Sequence, residues 1–162
     1  MPRPDSAASG AGDAPLRASG LRLHHDGRWS HEGAPIRNAR LRELFDRSVR
    51  YLPEARAYAL QVGRFRARIE VEEAAFFVRS FEAGSGEIAL SDGSCETLEV
   101  ASLRSSTRDG ALLCTVKRGL RPEGVPARFQ HAAQAELLNA VQDEPEGPCL
   151  RVRHETLQLP AL

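Results

Sequence analysis

The chain has 162 residues, of which 27% are charged, and its 22 Lys and Arg balance its 22 Asp and Glu. A chain of this length can bury about two thirds of its unfolded surface, so we expect one domain or two small subdomains that share a core. The zero net charge leaves no excess of cations to neutralise phosphates, so we predict no nucleic-acid partner. No apolar run approaches the roughly 18–20 residues that a membrane span needs, so we predict no membrane partner either.

The N-terminal stretch is rich in small and polar residues, and residues 1–18 contain one large aliphatic residue, Leu16. Such a segment cannot bury enough apolar surface to offset its ordering entropy, so we predict a disordered tail over 1–18 and structure from Leu21. The stretch has no hydrophobic segment, which predicts no secretory signal.

The three cysteines, Cys95, Cys114 and Cys149, form no CxxC pair. This pattern predicts free thiols in a reducing compartment, each packed as a small apolar residue. Together with the missing secretory signal, it predicts a cytoplasmic protein.

The stretch LRLHHDGRWSHE places Asp26-Gly27 between two short runs, which predicts a β-hairpin. A two-residue loop would place His24 opposite Trp29. A three-residue loop, His25-Asp26-Gly27, would instead place Leu23 opposite Trp29. The second register gathers the apolar residues on one face, and we favour it for that reason.

A helix is predicted after Asn38, a candidate N-cap. Apolar residues then recur at helical spacing, and Pro53 predicts that the helix ends at Leu52. These apolar residues are Leu41, Leu44, Phe45, Val49 and Leu52.

A long β region follows, with predicted strands over AYALQV, FRARIEV, AFFVRSF, EIAL, TLEV and ALLCTVKR. FRARIEV alternates cleanly. The alternation predicts that the apolar residues Phe65, Ala67, Ile69 and Val71 face inward.

A second helix is predicted over HAAQAELLNAV, although neither Gln130 nor His131 is a good N-cap residue. The C-terminal stretch CLRVRHETLQL predicts a terminal strand or an extended arm.

The β region contains an internal echo. In AYALQVGRFRARIEV and in ALLCTVKRGLRPEGVPARF, an apolar strand precedes a basic turn, and then an Ala-Arg pair precedes a large apolar residue. The pairs Ala67-Arg68 and Ala127-Arg128 lie 60 residues apart. The echo indicates either a duplicated α+β unit or a chance match.

Several motifs together carry a family resemblance. The order DGRW, GAPIR, a helix containing ELF, and IEVEEAAFF, followed by VPARFQHAAQAELL, resembles the bacterial "domain of unknown function" family 1285 over residues 21–142. The resemblance implies two α+β subdomains with repeated motifs, the second superficially like a pleckstrin-homology barrel. It also implies a role in signal transduction, with a nucleotide-like ligand between the subdomains.

We therefore predict an α+β fold of two small subdomains, each with one helix and with mostly antiparallel sheets. The N-terminal subdomain spans 19–75. The C-terminal subdomain spans 76–162 and forms a pleckstrin-homology-like partial barrel.

The first candidate site is a histidine cluster in which His24, His25 and His31 lie beside acidic residues. Zinc requires three or four converging ligands. Because neighbouring residues on a strand point to opposite faces, we favour a surface turn over a metal site and predict no metal. Glu72-Glu73 could form an acid/base pair, but a turn with charged flanks is the favoured interpretation.

The second candidate site is basic. If the two halves pack with pseudo-twofold symmetry, the turns that carry Arg64, Arg66, Lys117 and Arg118 could converge on an anion. The competing interpretation is a solvated face paired with glutamates. Trp29 either lines the same cleft or anchors the core. We predict these five residues as ligand-binding.

Common catalytic and phosphate-binding motifs, namely GxGxxG, the phosphate loop, GxSxG and HExxH, do not occur in the sequence. We therefore predict no catalytic residue and no cofactor. The favoured function is a binding or sensory module with an anionic small-molecule ligand. The alternatives are a protein–protein interaction module and an enzyme acting on a phosphorylated substrate, and the sequence leaves the oligomeric state open.

Overall fold

The computed structural model describes residues 16–162 of the chain. The predicted disordered tail falls mainly on residues 1–15, which lie outside the described residues. The first strand begins at Ala18, three residues before the predicted start of structure at Leu21. The first sheet contains β1 Ala18–Leu23, β2 Trp29–His31, β3 Ala34–Pro35, β4 Val49–Leu52, β5 Ala57–Val62 and β6 Phe65–Val71.

The β1–β2 hairpin has the favoured register. Leu23 is paired with Trp29, and the backbone N–H of His24 donates to the carbonyl of Arg28 at 2.8 Å, which leaves a three-residue loop. Gly27 closes the loop with a φ of 86°, a conformation that glycine adopts without steric cost. The prediction of a three-residue loop is confirmed.

Helix α1, Ala39–Ser48, begins as predicted but ends early. The Asn38 side chain accepts a hydrogen bond from the backbone N–H of Leu41 at 3.0 Å, which confirms the N-cap. The predicted end at Leu52 is wrong, because Val49–Leu52 is extended and pairs antiparallel with β5.

The second sheet repeats the strand order of the first. It contains β7 Phe76–Glu82, β8 Glu87–Leu90, β9 Cys95–Thr97, β10 Arg104–Ser105, β11 Leu112–Val116 and β12 Val125–Phe129. The orders are β3-β2-β1-β6-β5-β4 and β9-β8-β7-β12-β11-β10. In each sheet the first and last strands pair in parallel at the centre, and all other neighbours are antiparallel. The internal echo therefore reflects a duplicated unit.

Two predicted strands differ from the observed ones. Of TLEV, only Thr97 lies in a strand, and a 3-10 helix follows at Val100–Ser102. This helix occupies the position in the second unit that α1 occupies in the first. The strand predicted over ALLCTVKR is confined to β11, because Lys117 begins the next loop with a φ of 59°.

The C-terminal part forms a second helix and a third sheet. Helix α2, His131–Ala140, follows β12 as predicted, and Gln130 makes no capping hydrogen bond. The predicted terminal strand or arm is a three-stranded antiparallel sheet of β13 Val141–Glu144, β14 Gly147–Val152 and β15 Glu155–Gln158.

One hydrophobic core joins the three sheets and both helices. Its largest fully buried side chains are Trp29 and Phe76, one from each six-stranded sheet. The prediction that Phe65 faces inward to the core is wrong, because the residue is 56% exposed. Phe65 is the first residue of β6, next to the β5–β6 turn, so the alternation that buries Ala67 and Ile69 does not bury it.

The predicted α+β class with mostly antiparallel sheets is confirmed. None of the sheets formed by residues 16–162 closes into a barrel. Neither helix in this range is long and apolar enough to cross a membrane. The six-stranded sheets occupy residues 18–71 and 76–129, and the division into subdomains at residue 75 stays a prediction.

Candidate functional site

A polar network lies where the two six-stranded sheets meet. Its centre is Glu72, in the short linker between β6 and β7. One Glu72 carboxylate oxygen accepts the backbone N–H of His25 at 2.8 Å and lies 2.9 Å from His25 Nδ1. The other oxygen accepts from Arg108 at 3.1 Å. Glu72 thus ties the hairpin loop of the first sheet to a loop of the second.

These hydrogen bonds favour the charged form of Glu72. The backbone N–H of His25 is the largest cause, followed by the His25 ring, and together they lower the pKa of Glu72 to about 2. Glu72 is therefore an anion at neutral pH with its oxygens already engaged, which does not suit a general base.

The second half of the network surrounds Arg128 on β12. Its side chain is only 9% exposed and donates to Glu73 at 2.8 Å and to Asp109. The hydroxyl of Ser106 donates to the other oxygen of Glu73. The Arg128 guanidinium lowers the pKa of Asp109. Each carboxylate is thus matched by a donor, which is typical of a structural tie.

The structure separates the three clustered histidines. His24 and His25 lie 3.6 Å and 2.9 Å from Glu72, whereas His31 lies 3.1 Å from the carbonyl oxygen of Ser19. Within residues 16–162, no three His, Cys, Asp or Glu side chains converge as metal ligands would. The Glu72-Glu73 pair likewise diverges, each carboxylate having its own partners.

The two predicted ligand-binding cations of the β11–β12 loop are engaged by carboxylates. Lys117 Nζ lies 2.8 Å from Asp92, and its side chain is 13% exposed. Arg118 makes a bidentate contact with Glu99 at 2.6 and 2.9 Å. Both side chains therefore stabilise the β11–β12 loop from within the second sheet.

The other predicted residues lie apart from this loop. Arg64 is exposed at the β5–β6 turn, and Arg66 pairs with Glu54 at 3.1 Å on the solvated face of the first sheet. Trp29 is 1% exposed and donates to Asp46 at 2.8 Å, with Phe45 packed edge-on at 5.3 Å. Trp29 is a core anchor, and the ligand-binding role of all five residues stays a prediction.

Another part of the β11–β12 loop lies next to the first sheet. The β4–β5 turn and the β11–β12 loop enclose a cavity of about 360 Å³, which we call the inter-sheet cavity. Its charged lining side chains are Arg56, Arg121 and Glu123, and Tyr51 forms an aromatic wall.

The side chains that line the inter-sheet cavity carry a net positive formal charge. Arg121 Nε pairs with Glu123 at 2.9 Å, and this pairing raises the pKa of Arg121. Arg56 adds a second positive charge and has a φ of 47°, an uncommon conformation for a residue other than glycine. Such backbone conformations cluster at functional sites.

Sequence reasoning missed Arg56 and Arg121. That the β11–β12 loop forms one side of an intersubdomain site stays a prediction. In the structure this loop lines a cavity with the β4–β5 turn, and no residue of the β5–β6 turn lines that cavity. The local sequence signal for the β4–β5 turn is Pro53, which predicts a helix end and in the structure begins this turn.

No family model and no curated protein matches the sequence. Solved structures with its fold include a DUF1285 family protein from Silicibacter pomeroyi, with a TM-score of 0.62 and 18% identity over 95% of this chain and 91% of that one. A DUF1285 family protein from Shewanella baltica has a TM-score of 0.51 and 15% identity over 75% of this chain and 91% of that one. The fold of the family that the sequence resembles is therefore confirmed for this chain.

Proposed function

We propose that this chain, with the fold of DUF1285 family proteins, is a cytoplasmic binding or sensory module for an anionic, nucleotide-like molecule. The ligand binds in the inter-sheet cavity. One observation carries the proposal: a turn of the first sheet and a loop of the second bring Arg56 and Arg121 to a single cavity beside Tyr51.

The chemistry of these three residues suits a nucleotide. A guanidinium presents a planar set of donors that matches a phosphate, and an aromatic ring provides a surface for a base. Tyr58 packs behind Tyr51 with ring centroids 5.2 Å apart, and burial raises the pKa of Tyr58 to about 12. The aromatic wall is therefore backed by a second, partly buried tyrosine.

The position of the cavity suits a sensor. A ligand that contacts both sheets stabilises the conformation in which the sheets are packed together. It therefore lowers the population of any conformation in which they are apart. A protein-interaction module without a small ligand and an enzyme on a phosphorylated substrate stay hypotheses, and the following experiment addresses them as well.

The first test is a thermal-shift screen with nucleotides, cyclic and dinucleotide messengers, inorganic phosphate and zinc. A ligand present at 100 times its Kd stabilises the folded state by about 2.7 kcal/mol, which should raise the Tm of a domain of this size by roughly 5–10 °C. We expect a nucleotide to produce such a shift and zinc to produce none.

Matched variants then locate the site. The nucleotide that raises the Tm in the screen is then titrated against two variants, Arg121→Gln and Arg56→Gln. Each substitution should weaken its affinity about tenfold, because each removes a charge-assisted hydrogen bond that contributes about 1.4 kcal/mol. Arg66→Gln removes an arginine outside the cavity and should leave the affinity unchanged. Loss of binding in Arg66→Gln with retention in Arg121→Gln would instead support the residues predicted from the sequence. A flat panel would contradict the proposal and favour the protein-interaction module, and turnover of a bound nucleotide would favour the enzyme.

A further inference from the structure

Another cavity lies away from the inter-sheet cavity, between α1 and the first sheet. Its volume is about 620 Å³, within the range of small-molecule sites. We call it the α1 cavity. Its lining is mainly apolar and includes two polar side chains, Ser19 and His31. The apolar lining residues are Leu21, Ile36, Leu41, Leu44, Phe45, Leu60, Val62 and Phe65.

The rim of the α1 cavity carries large apolar side chains in water. Leu41, Leu44 and Phe65 are 38%, 44% and 56% exposed. Single exposed apolar residues are common, but three of them around one concave surface mark a site that binds an apolar group.

A second, basic pocket adjoins the α1 cavity at Ile36, which lines both. This basic pocket has a volume of about 320 Å³, and its three charged lining side chains are Arg28, Arg37 and Arg42. Arg28 is paired with Asp26 at 2.6 Å, so Arg37 and Arg42 supply the net positive charge.

Arg42, one of the residues that line this pocket, has an unsatisfied donor. Its Nε atom is buried and has no hydrogen-bond partner within the part of the chain that the structure describes. A buried guanidinium N–H without an acceptor is unfavourable, so an anionic oxygen placed beside it would gain a strong, charge-assisted hydrogen bond.

We propose that the α1 cavity and the basic pocket form one binding site for a soluble single-chain amphiphile with a carboxylate or phosphate head group. The alkyl chain of the ligand lies along Leu44 and Phe65, and its head group binds Arg37 and Arg42. Ile36 is the point at which the chain leaves the apolar cavity for the basic pocket. This site is separate from the inter-sheet cavity and does not depend on the function proposed for it.

The test uses alkyl phosphates of four, eight and twelve carbons below their micellar concentrations, with inorganic phosphate and dodecanol as controls, in isothermal titration calorimetry. A fully buried methylene is worth about 0.8 kcal/mol, or about a fourfold change in affinity. We expect the affinity to rise steeply with chain length and dodecanol to bind more weakly than dodecyl phosphate.

Two pairs of variants test the contribution of the ligand's alkyl chain and that of its head group separately. Leu44→Glu should abolish the dependence on chain length, whereas Leu138→Glu, a leucine of α2 that is 50% exposed, should not. Leu44→Gln serves the same purpose if Leu44→Glu fails to fold. Arg42→Gln should weaken dodecyl phosphate binding about tenfold and preserve the chain-length slope, whereas Arg47→Gln, on the exposed face of the same helix, should change neither.

Several results would overturn the inference. One is equal affinity for dodecyl phosphate and inorganic phosphate. Another is a dependence of affinity on alkyl-chain length that is unchanged in both Leu44 variants. The third is binding to vesicles of anionic lipid without binding to monomeric alkyl phosphate. Nucleotide binding that is lost in Arg121→Gln but unaffected by alkyl phosphate would show that the two sites are independent.

Discussion

The acidity of Glu72 comes from one backbone contact more than from any neighbouring charge. The N–H of His25 points at the carboxylate because the three-residue hairpin loop turns the chain there, and the His25 ring and Arg108 add to its effect. The pKa falls to about 2 from an ordinary 4.5, so the folded state binds this proton less tightly than the unfolded state does.

This difference predicts an acid-dependent loss of stability. The contribution of Glu72 is fully present above pH 4.5 and is lost as the pH falls towards 2. We expect Glu72→Gln to lower the Tm at pH 7 and the gap from the unmodified protein to close between pH 4.5 and 2. Glu70→Gln is the control, because Glu70 is 76% exposed and its ion pair with Arg22, at 3.7 Å, is long and exposed. Parallel Tm curves for Glu72→Gln and the unmodified protein would contradict this account.

The cysteines differ in accessibility. Cys114 and Cys149 are 0% exposed and pack as small apolar residues as predicted, but Cys95 is exposed. Burial raises the pKa of the Cys114 thiol to about 12, so almost no thiolate forms there.

We therefore expect selective alkylation. Iodoacetamide at pH 8 should label Cys95 in the folded protein and all three cysteines in urea, as measured by peptide mass spectrometry. Labelling of Cys114 at a comparable rate under native conditions would show that the second sheet opens locally.

At the scale of elements, the start of α1 is determined by local interactions and its end by tertiary contacts. The Asn38 cap needs only residues three positions away, and it forms as predicted. The end depends on β5, because Val49 pairs with Leu60 and becomes fully buried in the extended conformation. Burial and strand pairing outweigh the helical spacing of Val49 and Leu52.

Removal of the cap should destabilise the protein measurably. We expect Asn38→Ala to lower the free energy of unfolding by about 1 kcal/mol, measured by urea denaturation, and Asn38→Asp to preserve stability. Asn139→Ala, near the exposed end of α2, is the matched control and should change stability by less than about 0.5 kcal/mol. Equal effects of the two alanine substitutions would show that the cap contributes nothing.

At the scale of the whole molecule, the third sheet is attached to the duplicated unit by a close contact. Gly86, in the β7–β8 turn, has a φ of 74°, and a Cβ there would lie 2.4 Å from Val152 Cγ1 on β14. The backbone N–H of Arg153 also donates to the carbonyl of Gly84 at 3.0 Å. The turn and the third sheet therefore fit together only while residue 86 lacks a side chain.

A double-mutant cycle tests this contact. Gly86→Ala should cost the backbone penalty of about 1–2 kcal/mol for a left-handed residue, plus the clash. Gly93→Ala has a similar φ of 87° with no atom within 4 Å, so it measures the backbone penalty alone. In the Val152→Ala background, Gly86→Ala should cost no more than Gly93→Ala. Additive effects of the Gly86 and Val152 substitutions would place the third sheet elsewhere.

The duplication itself could be found in the sequence because register and burial constrain the same strand positions in both units. Ala67 and Ala127 lie at equivalent places in β6 and β12, opposite Leu60 and Cys114. Their arginine neighbours have diverged, since Arg68 is exposed whereas Arg128 is buried among carboxylates. A short echo can thus predict the repeat of a backbone without predicting the chemistry that each copy carries.

The hairpin register, the α1 cap, both helix starts and the α+β class were predictable because each depends on interactions within a few residues or on period-two alternation. The candidate sites were not. Lys117 and Arg118 carry the charge expected of an anion site, but their carboxylate partners Asp92 and Glu99 lie 25 and 19 residues away along the chain and meet them only in the folded protein. Arg56 and Arg121 are 65 residues apart in the sequence, and they line one cavity because the two sheets pack against each other. Contacts of this kind depend on how the sheets pack, which local sequence patterns do not specify.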